Sequence, residues 1–275
     1  MILDLIIVRH GISCANVWRK KHFGFHMLYH DPELTNEGVE QTKAVADLLQ
    51  SNITARWGSE PYTLASSQLI RASETAYYML AKSTNKPICI FPYIGEKGIT
   101  YDNYALEKHE QYKIMSKRNP EIVHALSKGR DLRDNQNMYT KSNWYKFINW
   151  ATENPEEFER GSDGHYRAVI FTHSKLIKSV FPLPGDEYMA NNDGLHTIIN
   201  TEKPVAKLRF EYWPMSHKLG TRKFNTNNDG CMLSTSVPTR KNTRKNRSNH
   251  ENRALMGHFG GLRKTRKVAP KKLEI

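Results

Sequence analysis

Ile2, Leu3, Leu5, Ile6, Ile7 and Val8 form an apolar run broken only by Asp4, and Arg9, His10 and Gly11 follow at once. A run apolar at both odd and even positions is predicted to be a strand buried on both faces, as in a parallel sheet covered by helices on each side. That single stretch confines the chain to the α/β class. Open α/β sheets place their chemistry at the carboxyl ends of the strands, where Arg9 and His10 stand. Taken alone, the triplet is equally compatible with a strand that simply ends in polar residues.

Two later stretches shift that balance. Leu64, Ala65, Ser66 and Ser67 read as a strand end running into a serine-rich turn, and Arg71 follows on the first part of a predicted helix over 69–81. Val169 to Thr172 is another apolar strand, ending in His173 and Ser174. Three strand ends thus bring Arg9 with His10, Arg71, and His173 toward one place. Two guanidinium forks and two imidazoles make a site for a dianionic group, because the forks match phosphate oxygens bidentately.

Four motifs, in order, resemble those of the histidine phosphatase superfamily, phosphoglycerate-mutase-like branch. They are Arg9-His10-Gly11 with Ser13 and Asn16; Leu34-Thr35 with Gly38 and Gln41; Ser66-Ser67 with Arg71, Ala72, Thr75 and Ala76; and Thr172-His173, where Ser174 replaces the family's glycine. The resemblance covers roughly residues 1–215. It implies a three-layer α/β/α sandwich with a mostly parallel central sheet and phosphoryl transfer without metal or cofactor. His10 would be the nucleophile, with Arg9, Arg71 and His173 binding the phosphoryl group, assisted by Ser13, Asn16 and Ser174. An acidic residue just after the third strand would be the proton donor. Glu96 stands there, with Asp102 and Glu187 in reserve.

Between these motifs, Ser13 to Lys21 is expected to begin a short helix, and His22 to Pro32 is aromatic and His-rich, suited to the rim of a site. Thr35 is expected to cap a helix whose inward face holds Val39, Val45, Ala46, Leu48 and Leu49. Ile88 to Phe91, closed by Pro87 and Pro92, is a third short strand. Residues 97–165 are rich in aromatic and charged side chains and would form a covering insertion, with helical pieces over 144–152 and 155–160. Asn191 to Gly194 reads as a turn between Pro182–Gly185, which breaks the chain, and two closing strands over 196–199 and 205–212. His196 is expected to be structural.

Charge separates the chain into two parts. Lys and Arg outnumber Asp and Glu by 15 to 3 over residues 216–275 but only by 26 to 25 over residues 1–215, so nearly all of the net +13 lies in the tail. A basic tail with few apolar residues is not expected to fold alone, and its charge suits contact with a polyanion, whether nucleic acid or an acidic protein, or a targeting role equally well. No apolar stretch is long enough to span a membrane, and the run into the first strand leaves no room for a signal peptide. Cys14, Cys89 and Cys231 show no paired or metal-ligand spacing, so free thiols in a reducing, intracellular setting are expected, whether cytoplasmic, nuclear or virion-associated. The chain therefore reads as a phosphatase acting on a phosphorylated small molecule or phosphoprotein. A phosphoglycerate-mutase-type phosphotransferase and an inactive phosphate-binding scaffold are the alternatives. The short Asp31-Pro32-Glu33-Leu34-Thr35 approach favours hydrolysis over the mutase.

Overall fold

The computed structural model describes residues 1–21, 29–98, 100–133, 142–183, 188–203, 208–220 and 230–231. The chain divides into two units, Met1–Leu233 and Ser234–Ile275, the second of which lies outside the described residues. Most of the basic tail, Glu187 and the aromatic stretch 22–28 lie outside them too.

The apolar run is strand β1 (Ile2–Arg9), and it sits inside the sheet rather than at its edge. After it come α1 (Cys14–Lys21), α2 (Asn36–Ala44), α3 (Ala46–Trp57), β2 (Thr63–Ser66) and α4 (Ile70–Ala76). Helix α4 runs on through a π-helical turn, Tyr77–Ala81, into α5 (Lys82–Thr84). Then follow β3 (Cys89–Ile90), a 3-10 turn at Tyr101–Asn103, α6 (Lys108–Arg118), α7 (Pro120–Lys128) and α8 (Trp144–Glu153). The order ends with β4 (Glu159–Arg160), β5 (Tyr166–Thr172), α9 (Ser174–Lys178), β6 (Gly194–Asn200), β7 (Phe210–Trp213) and a 3-10 turn at Met215–Leu219.

The sheet order is β3-β2-β5-β1-β6-β7, with β4 paired to β5. Neighbours from β3 to β1 are parallel; β6 lies antiparallel to β1, and β7 antiparallel to β6 as the expected closing hairpin. The period of two along β1 distributes its side chains to two cores. Ile6 and Val8 face a cluster with Leu49, Ile53, Ala72, Ala76 and Ile122 from α3, α4 and α7. Leu3, Leu5 and Ile7 face one with Phe147, Ile148 and Ala151 of α8 and Leu176 and Ile177 of α9. Helices therefore cover both faces, which is the three-layer sandwich.

Asp4, the one acidic residue in β1, is buried at the end of the strand remote from Arg9. It accepts from Trp57 Nε1 at 2.9 Å and pairs with His196 Nε2 at 2.7 Å. His196 is structural, as read from the sequence.

Three expectations are corrected. Residues 155–160 are not one helical piece: Pro155–Glu157 is a 3-10 turn and Glu159–Arg160 a strand, because Glu159 and Arg160 find β5 partners in Arg167 and Tyr166. The third strand is only two residues long: Ile90 bonds on its outer edge to Arg130 O and Leu132 N, and the ladder to β2 ends with Phe91 N donating to Ser66 O at 3.0 Å, just before Pro92. The cysteines are not all free. Cys14 is disulfide-bonded to Cys231 across 217 positions, a distance at which spacing carries no signal, and Cys89 alone remains a thiol, buried.

Thr35 caps α2 as expected, its side chain accepting from Gly38 N at 2.8 Å. Behind it Glu74 of α4 is fully buried, accepts from Leu34 N at 2.7 Å and lies 3.5 Å from Arg118 of α6. Burial pushes its carboxyl up to about 7, against the opposing pull of Arg118 and the Leu34 N–H. The native state thus holds this proton more tightly than the unfolded chain does. The stability so conferred is complete below about pH 4.5 and is lost as pH rises through 7. The shift corresponds to about 3 kcal/mol. Urea midpoints at several pH values should show that decline in the intact protein and a flatter profile in Glu74→Gln; parallel profiles would exclude Glu74 as its source.

Candidate active site

Register builds the site. Arg9 pairs with Thr172, and Ser66 with Phe171, so β1, β2 and β5 end at one level. The next residue on each is His10, Ser67 and His173. His10 N donates to Thr172 O at 3.0 Å and Ser67 N to Phe171 O at 3.0 Å, which carries the ladder one step beyond the strands. The His10 and His173 ring centroids are consequently 5.0 Å apart. Arg71 enters from the first turn of α4, and its Nε donates to His10 Nε2 at 3.3 Å.

The His10 ring has one fixed edge. Its Nδ1 lies 2.7 Å from Gly11 O, a contact in which Nδ1–H must donate because a carbonyl can only accept. That tautomer leaves the Nε2 lone pair on the side of Arg71. The turn itself is clamped: Gly11 N donates to Thr75 Oγ1 at 3.0 Å, while Asn191 Nδ2 donates to His10 O at 2.8 Å and Gly11 O at 3.0 Å.

A cleft of about 720 Å³ opens over this turn. Arg9, His10, Ser13, Asn16, Arg71, Glu96, Asp102 and Ser174 all line it, together with Lys175 and Asn191, which the sequence did not single out. His173 is fully buried just behind it, with Nε2 2.7 Å from Ser67 Oγ. Burial, reinforced by the charges of Arg71, His10 and Arg9, holds the His173 imidazole well below its ordinary value, so the ring is neutral near pH 7. Arg9 donates to Met189 O, and Arg71 Nη1 to Asp102 O at 2.7 Å. Ser13 and Asn16 bond one another at the start of α1 through Asn16 Oδ1, at 3.0 Å from both Ser13 N and Ser13 Oγ.

Glu96 follows β3 on a segment tied to β5, where Thr172 Oγ1 donates to Ile94 O at 2.6 Å. Its Oε1 accepts from Lys97 N at 3.0 Å and Lys175 N at 3.2 Å. Burial raises its carboxyl above the ordinary carboxylate value, although Arg71, Lys175, the Lys97 N–H and Arg9 all favour the anion. The reserve candidate Asp102 also reaches the cleft, and its backbone carbonyl is the part seen bonding Arg71. Ser174, in place of glycine, is the first residue of α9 and is not among the residues with positive φ, so its side chain strains nothing.

Sequence reasoning missed the residues that hold the site. Asn191 read as part of a polar turn, and only its proximity to the Arg-His-Gly turn reveals otherwise. Asp31, buried at φ +47°, accepts from Ile70 N at 2.8 Å, Leu106 N at 3.1 Å and Gln111 Nε2 at 2.5 Å. It thereby pins the start of the Arg71 helix to Leu106 and to Gln111 of α6. Thr75 was legible as a motif position, though without a task. Among the described residues no group of His, Cys, Asp or Glu is arranged to hold a metal ion, and no helix is long and apolar enough to cross a membrane.

Solved structures similar to the chain include a mycobacterial glucosyl-3-phosphoglycerate phosphatase, at 16% identity and TM-score 0.41 over 77% of this chain and 97% of that one. The alpha-ribazole phosphatase of Shigella flexneri is similar at 16% identity and TM-score 0.41, over 77% and 96%. Phosphoglycerate mutase from Bacillus anthracis is similar at 15% identity and TM-score 0.44, over 78% and 95%. No curated protein sequence matches the chain. The family model described as histidine phosphatase superfamily (branch 1) matches residues 5–183, which contain every motif named above. The chain belongs to the histidine phosphatase superfamily, whose members act on phosphomonoesters through a phosphohistidine.

Proposed function

We propose that this chain is a phosphomonoester hydrolase that works through a phosphohistidine on His10. The observation that carries the reading is the His10 ring: Nδ1–H held by Gly11 O, Nε2 turned toward the cleft beside Arg71. His10 Nε2 attacks phosphorus and the ester P–O bond breaks, its electron pair leaving with the alkoxide. Glu96, whose carboxyl burial raises, gives that oxygen its proton. Arg9, Arg71 and His173 bind the equatorial oxygens as charge builds, with Ser13, Asn16 and Ser174 as further hydrogen-bonding groups. In the second half-reaction the Glu96 carboxylate takes a proton from water, whose oxygen bonds to phosphorus as the Nε2–P bond breaks and its electron pair returns to His10, releasing inorganic phosphate.

Residues 97–165 cover this cleft as an insertion on a catalytic domain over 1–215. The basic stretch 216–275 is an accessory segment for polyanion contact. A panel of phosphomonoesters scored for phosphate release tests the reading. Interconversion of phosphoglycerates outrunning phosphate release would favour phosphotransfer, and tight phosphate binding with no turnover would favour a scaffold.

The clamp on the catalytic turn gives a second measurable expectation. In Asn191→Ala the Gly11 carbonyl loses the donor that holds it under His10 Nδ1. We expect kcat to fall by roughly ten- to a hundredfold with the thermal midpoint little changed, since one neutral hydrogen bond contributes about 1 kcal/mol to stability while a small misplacement of a reacting group is costly. A loss of stability large enough to account for the activity loss would remove the positioning role.

A further inference from the structure

The cleft is far larger than a phosphate group, so it must also receive part of the alcohol to which the phosphate is esterified. Its cations differ in how they are used. Arg9 and Arg71 point donors at protein carbonyls as well as at the phosphoryl site. Lys175 forms no side-chain hydrogen bond or ion pair among the described residues, yet it lines the cleft and is only partly exposed. Its main chain is not free to wander, because Lys175 N donates to Glu96 Oε1 at 3.2 Å. The ammonium is therefore carried by a residue fixed beside the group that, on the reading above, protonates the departing oxygen.

A second nitrogen lies close by. A methyl group placed on Gly98 would sit 3.6 Å from Lys175 Nζ and 2.4 Å from Asn103 Nδ2, so the ammonium and the carboxamide share the space that glycine leaves empty. Asn103 is nearly fully buried, lines the same cleft and is held in place by Nδ2 donation to Thr100 Oγ1 at 2.7 Å. A Lys175 ammonium set beside that fixed carboxamide, next to the leaving-group side, suits an anionic oxygen better than a hydroxyl or a cation.

We propose that Lys175, with Asn103 at its side, is a specificity-determining residue that selects phosphomonoesters whose alcohol carries a second anionic group within a few bonds of the ester oxygen. The inference rests on the phosphatase reading for which side of the cleft holds the alcohol. The other carboxylates lining the cleft bear on it. Glu37 is engaged at 2.8 Å by Gln41 Nε2 and Glu96 is pushed toward its neutral form, which limits their repulsion of such a group, while Asp102, the third, is buried beside Asn103.

Four small probes of similar size test it: phosphoglycolate, ethylene glycol bisphosphate, 2-hydroxyethyl phosphate and phosphoethanolamine. They separate a carboxylate, a second phosphate, a neutral group and a cation. In the full chain, kcat/KM should favour the two anionic probes over the neutral one by roughly ten- to a hundredfold, the effect of a hydrogen bond to a charged group. Lys175→Met should erase that ratio whatever it does to absolute rates, and Lys175→Arg should restore part of it. Calorimetric titration of the same probes gives the same ratio as a binding preference. Binding with no turnover would defeat the phosphatase reading while still deciding the role of Lys175. No preference in the intact protein, or a preference that survives Lys175→Met, would overturn the proposal. Equal losses on all four probes with a displaced alkaline limb would also overturn it, by assigning Lys175 to Glu96 instead.

Discussion

His10→Ala is expected to abolish phosphate release, by on the order of 10⁴-fold or more, because no other group in the cleft is aligned to replace the nucleophile. The ring makes one hydrogen bond to its own turn, from Nδ1 to Gly11 O, and the turn is independently held by Asn191 and Thr75. The variant should therefore fold normally, and its thermal midpoint checks that. Rapid acid quench would hydrolyse the N–P bond, so trapping must be done in base, where a phosphohistidine persists and a phosphoserine is lost. Intact protein should show one base-stable phosphoryl group per chain during turnover and His10→Ala none. Turnover at the original rate in the variant would end the mechanism. A phosphoenzyme that survives it would move the nucleophile, with His173 the next ring, 5.0 Å away. His173 is the poorer candidate because it is fully buried and its Nε2 is already taken up by Ser67 Oγ.

The second large effect concerns the leaving group. Glu96→Gln keeps the side-chain oxygen that accepts from Lys97 N and Lys175 N but cannot donate a carboxyl proton. An alkoxide must be protonated as it departs, whereas a nitrophenolate leaves unaided. In the first turnover, phosphoryl transfer from an alkyl phosphate should slow by ~10²–10⁴-fold, the usual worth of general-acid catalysis, and transfer from a nitrophenyl phosphate hardly at all. Burial raises the Glu96 carboxyl, so in the intact protein the activity limb set by its deprotonation is shifted upward from that of an ordinary carboxylate, and the variant should lose that limb. Equal slowing on both ester types would remove the role from Glu96. The selective loss would then be sought in Asp102→Asn, whose side chain lies in the same cleft, and in Glu187→Gln.

What the sequence disclosed, and what it hid, follows from how far each signal reaches along the chain. The strand ends carrying Arg9, Ser66 and Thr172 were legible because burial on both faces leaves a continuous apolar run and the polar residues after it are local. Thr35 was legible as a cap because its partner, Gly38 N, is three residues away. Helix α6 was not, since only Gln111 and Met115 of its eleven residues are buried and no apolar stripe marks it. The disulfide, the Asn191 clamp and the Asp31 pin all join residues remote in sequence, and nothing in either neighbourhood announces the other. The same holds for Lys175 and Asn103, which both come up against Gly98 from remote positions in the chain.

The place of β1 in the sheet has a consequence for how the protein is made. Its two neighbours are β5 and β6, so Val8 must wait for Phe171 on one side and Gly194 on the other. At ~5–20 residues per second, synthesis takes on the order of 10–30 s to supply the first of those partners. Throughout that interval a strand with six apolar residues, four of them consecutive from Leu5 to Val8, has both edges open and nothing native to pair with. Loop-closure entropy across so long a separation further slows the docking once the partners exist. The Arg9-His10-Gly11 turn emerges well before β5 and β6 and acquires its geometry only after both, so slow or arrested translation before β6 should yield aggregated rather than partially active protein.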